Sequence, residues 1–465
     1  MNKVILRIAI FSLLFAFCAC KDINDPEKPN ILLINVDDLG WRDVGFMGSE
    51  FYETPVIDKL AAGGMIFTQA YASASNCAPS RACMMSGQWT PRHGIYTVGS
   101  SERGNSRDRK LIPVKNTTVL ADSCYTLAEA LHDAGYITCH AGKWHLNEDP
   151  LSQGFDFNIG GCEAGNPGSY YPPYRNVPLE APSEDYYLTN LIMDKVLEFV
   201  ENTDNQPFFF YYSPYAVHTP IQPVEEFIGT YRDKKEWNGQ NNIEYATMIE
   251  NLDNQIGRLI TLLEDKGKLA NTFIIFTSDN GGVYRITKQW PLRAGKGSYY
   301  EGGIREPMFI YWEGNVKAGT KNETPVTNLD FYPTILEVVC ISIPEGKILD
   351  GKSLLPLIEG SGSFDDRPLF WHFPVYLERG NEETQDTLFR TRPGSAVRLG
   401  DWKLIEYFEN GDLELYNIKK DIAESINLAA SEPTKLKELG DILKRWRQDV
   451  DAPVPDQLNI NFNKE

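Results

Sequence analysis

The sequence predicts an α/β protein: a large, mostly parallel β-sheet flanked by helices, followed by a smaller antiparallel sheet with one helix. Short continuous apolar runs, typical of strands buried on both faces, alternate with amphipathic segments of helical period. After about residue 370 the pattern changes to short alternating strands around a turn signal. We therefore divide the chain into a main domain over residues 30–370 and a C-terminal subdomain over residues 371–465.

Continuous apolar runs predict the buried strands of the main domain. The first run, Asn-Ile-Leu-Leu-Ile-Asn-Val, is rich in aliphatic and β-branched side chains. The predicted strands lie at residues 30–36, 65–71, 136–141, 207–212 and 272–277, and a further one ends at Trp312. Because helices separate most of these strands, we expect the sheet to be mostly parallel.

Capping signals and apolar periodicity predict the helices between the strands. Thr54-Pro55 begins a helix that Gly63 ends, and Thr126 caps another that runs to Ala134. Residues 183–202 form the next predicted helix. Between Ile243 and Lys266 apolar residues recur at the spacing of an amphipathic helix.

The C-terminal subdomain has a different pattern. Residues 395–406 and 413–416 are predicted strands around Asn410-Gly411, a dipeptide typical of a hairpin turn. A charged amphipathic helix is predicted from Pro433 to Val450. We expect this unit to pack on the main domain.

Residues 1–20 are predicted to be a targeting segment. Basic residues precede an apolar run that is too short to span a membrane as a mature helix and is typical of a secretory signal. Cys20 follows a small residue, as at a bacterial lipoprotein cleavage site, so we expect a lipid anchor there; ordinary signal cleavage nearby is the alternative. The polar residues 21–29 would form a tether, and the protein would be exported to the periplasm or cell surface.

Charge and cysteine spacing argue against several functions. The net charge is −19 and no basic face is evident to neutralise phosphates, so we expect no nucleic-acid partner. Beyond the targeting segment the cysteines are too few and scattered for a disulfide scaffold, and none forms a CxxC zinc pair. They are Cys77, Cys83, Cys124, Cys139, Cys162 and Cys340.

Polar residues follow the ends of several predicted strands. Because an open parallel sheet presents the carboxyl ends of its strands along one edge, we expect these residues to share a site, although each alone could be a cap, a salt bridge or a core histidine. Three carboxylates and an amide oxygen suit Ca²⁺ or Mg²⁺ better than zinc. The residues are Asp37, Asp38, Lys143, His145, His218, Asp279 and Asn280, with Lys296 close behind.

Cys77 comes just before a short predicted helix. Pro79 would lie in its first turn, and Arg81 one turn on from the cysteine. Free backbone N–H groups at such a helix start lower a thiol pKa or bind an anion. A buried structural cysteine is the alternative.

The run Cys-Ala-Pro-Ser-Arg at residues 77–81 resembles the Cys-x-Pro-Ser-Arg signature of the type I, formylglycine-dependent sulfatase family, whose fold is that of the alkaline phosphatase superfamily. Asn-Val-Asp-Asp-Leu-Gly, Gly-Lys-Trp-His and Ser-Asp-Asn-Gly resemble further motifs of that family, in the same order. The resemblance covers about residues 29–430.

The resemblance implies a metal site and a modified cysteine. Cys77 would be oxidised to formylglycine, an aldehyde whose hydrate is the nucleophile, by a dedicated maturation enzyme. The cation would be calcium rather than magnesium. Its ligands would be Asp37, Asp38, Asp279, Asn280 and the modified residue 77.

The resemblance also assigns the other site residues. Lys143 and Lys296 would bind the sulfate group, and Arg81 would position and polarise the nucleophile. His218 would protonate the leaving oxygen, and His145 would take the proton from the second hydroxyl so that sulfate leaves. Since the chain as a whole is acidic, the positive charge that holds an anionic ester must be local.

The predicted reaction is hydrolysis of a sulfate monoester on a carbohydrate, by exo action, with sulfated galactose or N-acetylgalactosamine units as candidates. Arg103, Glu163, Trp290 and Arg293 are the candidate substrate contacts, although each could equally be scaffold. One alternative is a phosphate or phosphonate monoester hydrolase of the same superfamily. Another is a non-catalytic glycan-binding lipoprotein.

Overall fold

The structure is a computed structural model that describes residues 28–203, 206–362, 364 and 367–463. The predicted signal segment, the lipidation site Cys20 and all but the end of the tether lie outside the described residues. Among the helices of the described ranges, none combines the length and the apolar character needed to cross a bilayer.

The strands are numbered in chain order. They are β1 Asn30–Val36, β2 Met65–Phe67, β3 Ala70–Tyr71, β4 Ile137–Gly142, β5 Phe157–Ile159, β6 Phe208–Ser213, β7 Thr272–Ser278, β8 Arg305–Glu306, β9 Phe309–Tyr311, β10 Thr320–Asn322, β11 Val326–Thr327, β12 Leu369–Phe373, β13 Leu377–Glu378, β14 Phe389–Thr391, β15 Gly394–Leu399, β16 Trp402–Tyr407 and β17 Asp412–Asn417.

The α-helices are numbered in the same way. They are α1 Pro55–Ala62, α2 Cys77–Ser86, α3 Thr90–His93, α4 Leu127–Asp133, α5 Leu188–Asn202, α6 Ile228–Tyr231, α7 Ile243–Asp265, α8 Glu301–Ile304, α9 Phe331–Val338, α10 Leu355–Ile358 and α11 Pro433–Asp449.

The predicted fold class is confirmed. An eight-stranded sheet has the order β10-β2-β9-β7-β1-β6-β4-β5, and its strands are parallel except for β9, which runs antiparallel to both neighbours. A separate antiparallel sheet, β12-β15-β16-β17, forms the C-terminal subdomain. Its first strand begins at Leu369, close to the predicted boundary.

Both faces of the central strands are buried because most of the side chains of these strands are apolar. Along β1, Leu32 and Ile34 pack with α5 and α7, whereas Ile31 and Leu33 pack with α2, α4 and α9. Alternate side chains of an extended strand point to opposite faces, which explains this division. The central strands are thereby fixed between two helical layers.

Three local predictions differ from the structure. Residues 65–71 form two strands in two different sheets, because the chain leaves the large sheet at Thr68-Gln69. Residues 395–406 form two strands, β15 and β16, that pair with each other. The helix predicted from residue 183 begins at Leu188.

A buried ionic cluster joins the subdomain to the main domain. Lys403 on β16 lies 3.1 Å from Glu301 of α8 and 2.8 Å from Glu424, and all three side chains are fully buried. Burial raises the pKa of Glu424 to about 7, with the charge of Glu301 adding to the effect. Since the cluster spans both units, the two are expected to fold together.

Candidate active site

The predicted site residues meet at one edge of the large sheet. In the order β7-β1-β6-β4, four neighbouring strands end at Ser278, Val36, Ser213 and Gly142. The acids, the lysine and the histidines follow these ends directly. This is the arrangement expected for parallel strands in an open sheet.

Close backbone packing holds two of these ends together. Gly142 has φ +103°, and a Cβ there would lie 2.0 Å from the carbonyl oxygen of Ser213. The next amide, that of Lys143, donates to the same oxygen at 2.6 Å. Only glycine fits this contact, which brings the chain after β4 against the end of β6.

The acidic residues form a pocket with the chemistry of a hard-cation site. One ligand atom each of Asp37, Cys77 and Asp279 lie within 4.8 Å of one another. Asp38 Oδ2 and Asn280 Oδ1 are buried and accept no hydrogen bond from the described residues. Buried oxygens without donors are costly unless something binds them, so the set fits a Ca²⁺ or Mg²⁺ ion.

The remaining oxygens of the pocket are held by cations of the chain. Lys143 Nζ donates to both oxygens of Asp37, at 2.8 and 3.0 Å, and both side chains are fully buried. Lys296 Nζ donates to Asp38 Oδ1. Although burial opposes ionisation, the charges of Lys296 and His218 hold the pKa of Asp38 below its ordinary value.

Cys77 is the first residue of α2, with Asn76 as the extended N-cap residue. A helix is therefore present where it was predicted, but it begins at Cys77 itself rather than just after it, and Pro79 lies in its first turn. Lys296 Nζ is 3.6 Å from Cys77 Sγ. Burial raises the pKa of the thiol, but the charges of Lys143 and Lys296 outweigh it, so that the net shift is downward.

Arg81 connects the helix to the acids. Its Nε and one terminal nitrogen contact the same oxygen of Asp279, at 2.8 and 2.7 Å. The other terminal nitrogen donates to the carbonyl oxygen of Lys143 at 2.8 Å and to Ser213 Oγ. This buried side chain fixes α2 against three strand ends, and Asp279 and Lys143 with it.

The two histidines lie on either side of the pocket. His218 donates from Nδ1 to the carbonyl oxygen of Thr219 at 2.7 Å, which leaves Nε2 facing Asp38, 3.5 Å from Oδ2. Burial lowers the pKa of His218 to about 4, against the opposing charge of Asp38. His145 Nδ1 is buried without a partner, and burial together with Lys143 and Arg81 lowers its pKa well below the ordinary value. Both effects favour the neutral form of the His145 imidazole.

A loop rich in tyrosine, which contains Tyr170, supports His218. The Tyr170 hydroxyl is fully buried and donates to the carbonyl oxygens of Tyr215 and His218, at 2.6 and 2.9 Å. Sequence reasoning did not single out Tyr170 or Ser213. The richness of the loop in tyrosine was the only signal for the first, and the end of a predicted strand for the second.

Comparison with known families identifies the chain. The family model described as Sulfatase matches residues 29–341, more than half of the chain. The chain belongs to the sulfatase family. A second model, described as N-sulphoglucosamine sulphohydrolase, C-terminal, matches residues 295–449. The protein is accordingly a sulfuric ester hydrolase.

Individual relatives match most of the length of this sulfatase. A sulfatase of Formosa agariphila is 31% identical over 97% of this chain and 94% of that protein. Human N-acetylgalactosamine-6-sulfatase is 31% identical over 75% of this chain and 69% of its own length. The crystal structure of Ps i-CgsB in complex with k-i-k-neocarrahexaose is similar with a TM-score of 0.76 and 29% identity, covering 94% of this chain and 95% of that one.

The four predicted substrate contacts of the sulfatase fall in different settings. Arg293 donates to the carbonyl oxygens of Glu383 and Glu424 and stacks 3.8 Å from the centre of the Tyr300 ring, and its contact with substrate stays a prediction. Glu163 is exposed in the loop beside His145, and Trp290 is exposed beside the chain that follows Asp38. Both remain predictions.

The fourth predicted substrate contact, Arg103, is ion-paired with Glu378 of β13 through Nε and a terminal nitrogen, at 2.8 and 2.7 Å.

The cysteines of the described residues are all unpaired, so no disulfide closes any part of this site.

Proposed function

We propose that this sulfatase hydrolyses sulfate monoesters of a carbohydrate, with formylglycine formed from Cys77 and a bound calcium ion. The observation that carries the proposal is the position of Cys77, whose sulfur lies among the carboxylates of Asp37 and Asp279 and 3.6 Å from Lys296 Nζ. Hydrated formylglycine supplies two hydroxyls on one carbon, which an unmodified thiol lacks. Calcium supplies positive charge for the nucleophile and the sulfuryl oxygens.

The residues of the chain supply the rest of the chemistry. Lys143 and Lys296 are buried, fixed cations, the kind of preorganised charge that stabilises a transferring group most strongly. His218 Nε2 faces the pocket and is placed to protonate the leaving sugar oxygen. His145, neutral and with Nδ1 unpartnered, is placed to accept a proton when sulfate is released.

Relatives support a sulfated sugar as the substrate. One relative is named N-acetylgalactosamine-6-sulfatase, and a similar solved structure contains a neocarrahexaose. We therefore propose sulfated galactose or N-acetylgalactosamine units, attacked at a chain end. Incubation with a sulfated oligosaccharide of defined length tests this: exo action releases sulfate from the terminal unit only, whereas loss from internal units contradicts it.

Mass spectrometry of the Cys77 peptide from protein made in its native host tests the modification. We expect the aldehyde form in the active protein, and Cys77→Ala should abolish hydrolysis. A wholly unmodified thiol in fully active protein would contradict the proposal. Matched aryl sulfate and aryl phosphate then separate the reaction classes, because a clear preference for phosphate would favour a phosphate monoester hydrolase.

We also propose export and a lipid anchor at Cys20, which rest on the sequence of residues 1–20 alone. Metabolic labelling with a fatty acid should mark the wild-type protein and not Cys20→Ala. Equal labelling of both proteins, or of neither, would remove the anchor from the proposal.

A further inference from the structure

A short hairpin of the C-terminal subdomain lies against the catalytic lysine. Strands β13 and β14 pair, and Arg390 is the middle residue of β14. Arg390 donates from a terminal nitrogen to the carbonyl oxygen of Lys296 at 3.4 Å. A Cβ on Gly297 would lie 2.4 Å from Leu377 and 3.1 Å from Arg390, so the hairpin closely covers the chain that carries Lys296.

Glu378 on β13 is followed in the chain by Arg379 and lies within the electrostatic influence of Arg103 and Arg390. Glu378 is ion-paired with Arg103 through both of its oxygens. Within the part of the chain that the structure describes, no carboxylate lies within 4.0 Å of the guanidinium of Arg390 or Arg379. Arg379 is exposed, and its backbone has φ +67° immediately after the end of β13.

The positive charge of Arg390 is therefore only partly balanced. Burial lowers the pKa of Arg390, and the charges of Arg103 and Arg379 lower it further, whereas Asp38 and Glu378 oppose the shift. A guanidinium nevertheless stays protonated in proteins. An unpaired, half-buried cation is unfavourable on its own and becomes favourable when an anion binds it.

We propose that Arg390, with Arg379 beside it, binds a second anionic group of the substrate, next to the sulfate ester that is cleaved. This inference rests on the proposed function, since it concerns the saccharide that reaches Lys296. The group would be a sulfate ester or a carboxylate, both of which match the planar fork of a guanidinium. Arg103 would act as a positioning residue, because its ion pair neutralises Glu378 and leaves the two other arginines free for the ligand.

Matched saccharides test the proposal. One carries a single sulfate ester, the second carries an additional sulfate on the same or the adjoining sugar, and the third carries a carboxylate there instead. The wild-type protein should show a higher kcat/KM for at least one of the two doubly anionic saccharides than for the singly sulfated one. The saccharide with the higher value identifies the second anionic group as a sulfate or a carboxylate. A single charge-assisted contact accounts for roughly a 10- to 100-fold preference.

Substitution then assigns the preference to Arg390. Arg390→Gln should lower the ratio of kcat/KM between doubly and singly anionic saccharides by roughly 10- to 100-fold, mostly through KM, and Arg390→Lys should restore part of it. The matched control is Arg392→Gln, one residue after the end of β14, whose guanidinium is already paired with Asp386 and Glu409. Its ratio should stay at the wild-type value.

Two results would overturn the inference. The first is that the wild-type protein does not prefer either doubly anionic saccharide. The second is that Arg390→Gln, shown to be folded by its melting temperature, keeps the wild-type ratio of kcat/KM between doubly and singly anionic saccharides. If Arg390→Gln does not fold, Arg379→Gln at the exposed position gives the same comparison, and an unchanged ratio there contradicts the proposal. A wild-type protein inactive on every sulfate ester would instead refute the proposed function.

Discussion

Gly165→Ala should reduce sulfate ester hydrolysis without unfolding the protein. A Cβ at Gly165 would lie 2.6 Å from Cε1 and 2.7 Å from Nε2 of the His145 ring, whereas ordinary contacts begin near 3.4 Å. The ring must therefore move by roughly 0.8 Å, the difference between these distances. Gly165 has no left-handed backbone, so alanine itself causes little strain there. A displacement of about 1 Å in a catalytic group costs up to roughly 100-fold, so we expect kcat/KM to fall by about 10- to 100-fold.

The assay is release of the phenol from an aryl sulfate, together with the melting temperature. Gly229→Ala is the matched control, because a Cβ there meets nothing within 4 Å and the backbone is again not left-handed. In a double-mutant cycle, Gly165→Ala should have little further effect once His145→Ala is present, since both changes act through the same ring. Full activity of Gly165→Ala, or effects that multiply in the double variant, would refute the reasoning.

Three further predictions concern the cation and the buried cluster. EDTA should abolish hydrolysis and lower the melting temperature, because buried carboxylates lose their cation, and Ca²⁺ but not Zn²⁺ should restore both; activity that persists in EDTA would contradict the cation site. Lys403→Met should lower the free energy of unfolding in urea by about 3–5 kcal/mol, because it leaves Glu301 and Glu424 unpaired. The control is Lys437→Met at an exposed position, which should change the free energy of unfolding by less than about 1 kcal/mol. Equal effects of the two variants would contradict the role of the cluster. The pKa of Glu424 in the folded protein is raised to about 7 from an ordinary 4.5, so its stabilising contribution is present below pH 4.5 and is lost as the pH rises through 7. Glu424→Gln should therefore reduce the change in the free energy of unfolding between pH 4.5 and 7. A pH dependence equal to that of the wild-type protein would contradict this.

The positions of the residues that meet in the pocket could be predicted because several of them follow a simple pattern. Asp37 and Asp279 come directly after continuous apolar runs, and such runs form parallel strands whose ends meet at one edge. Cys77 begins a helix marked by the proline in its first turn. Local signals and sheet geometry together were sufficient to bring these residues into one site.

The rim of the site could not be predicted in the same way. Arg390 and Glu378 lie on strands of three and two residues, too short to show a period of alternation. Arg390 reaches Lys296 through a contact between the two domains, which no local pattern records. The same limit explains residues 65–71, where the apolar run continues although the chain changes from one sheet to another.

The two parts of the site are built by different segments of the chain, and this affects how the protein can evolve. The residues around the reacting centre come from the chain between Asp37 and Lys296, whereas the hairpin at the rim comes from the C-terminal subdomain. After a gene duplication, changes in β13 and β14 can accumulate while the buried ion pairs of Arg81 and Lys143 stay untouched. If Arg390 and Arg379 bind substrate as proposed, new substrate preferences can arise in sister copies with the reaction itself unaltered.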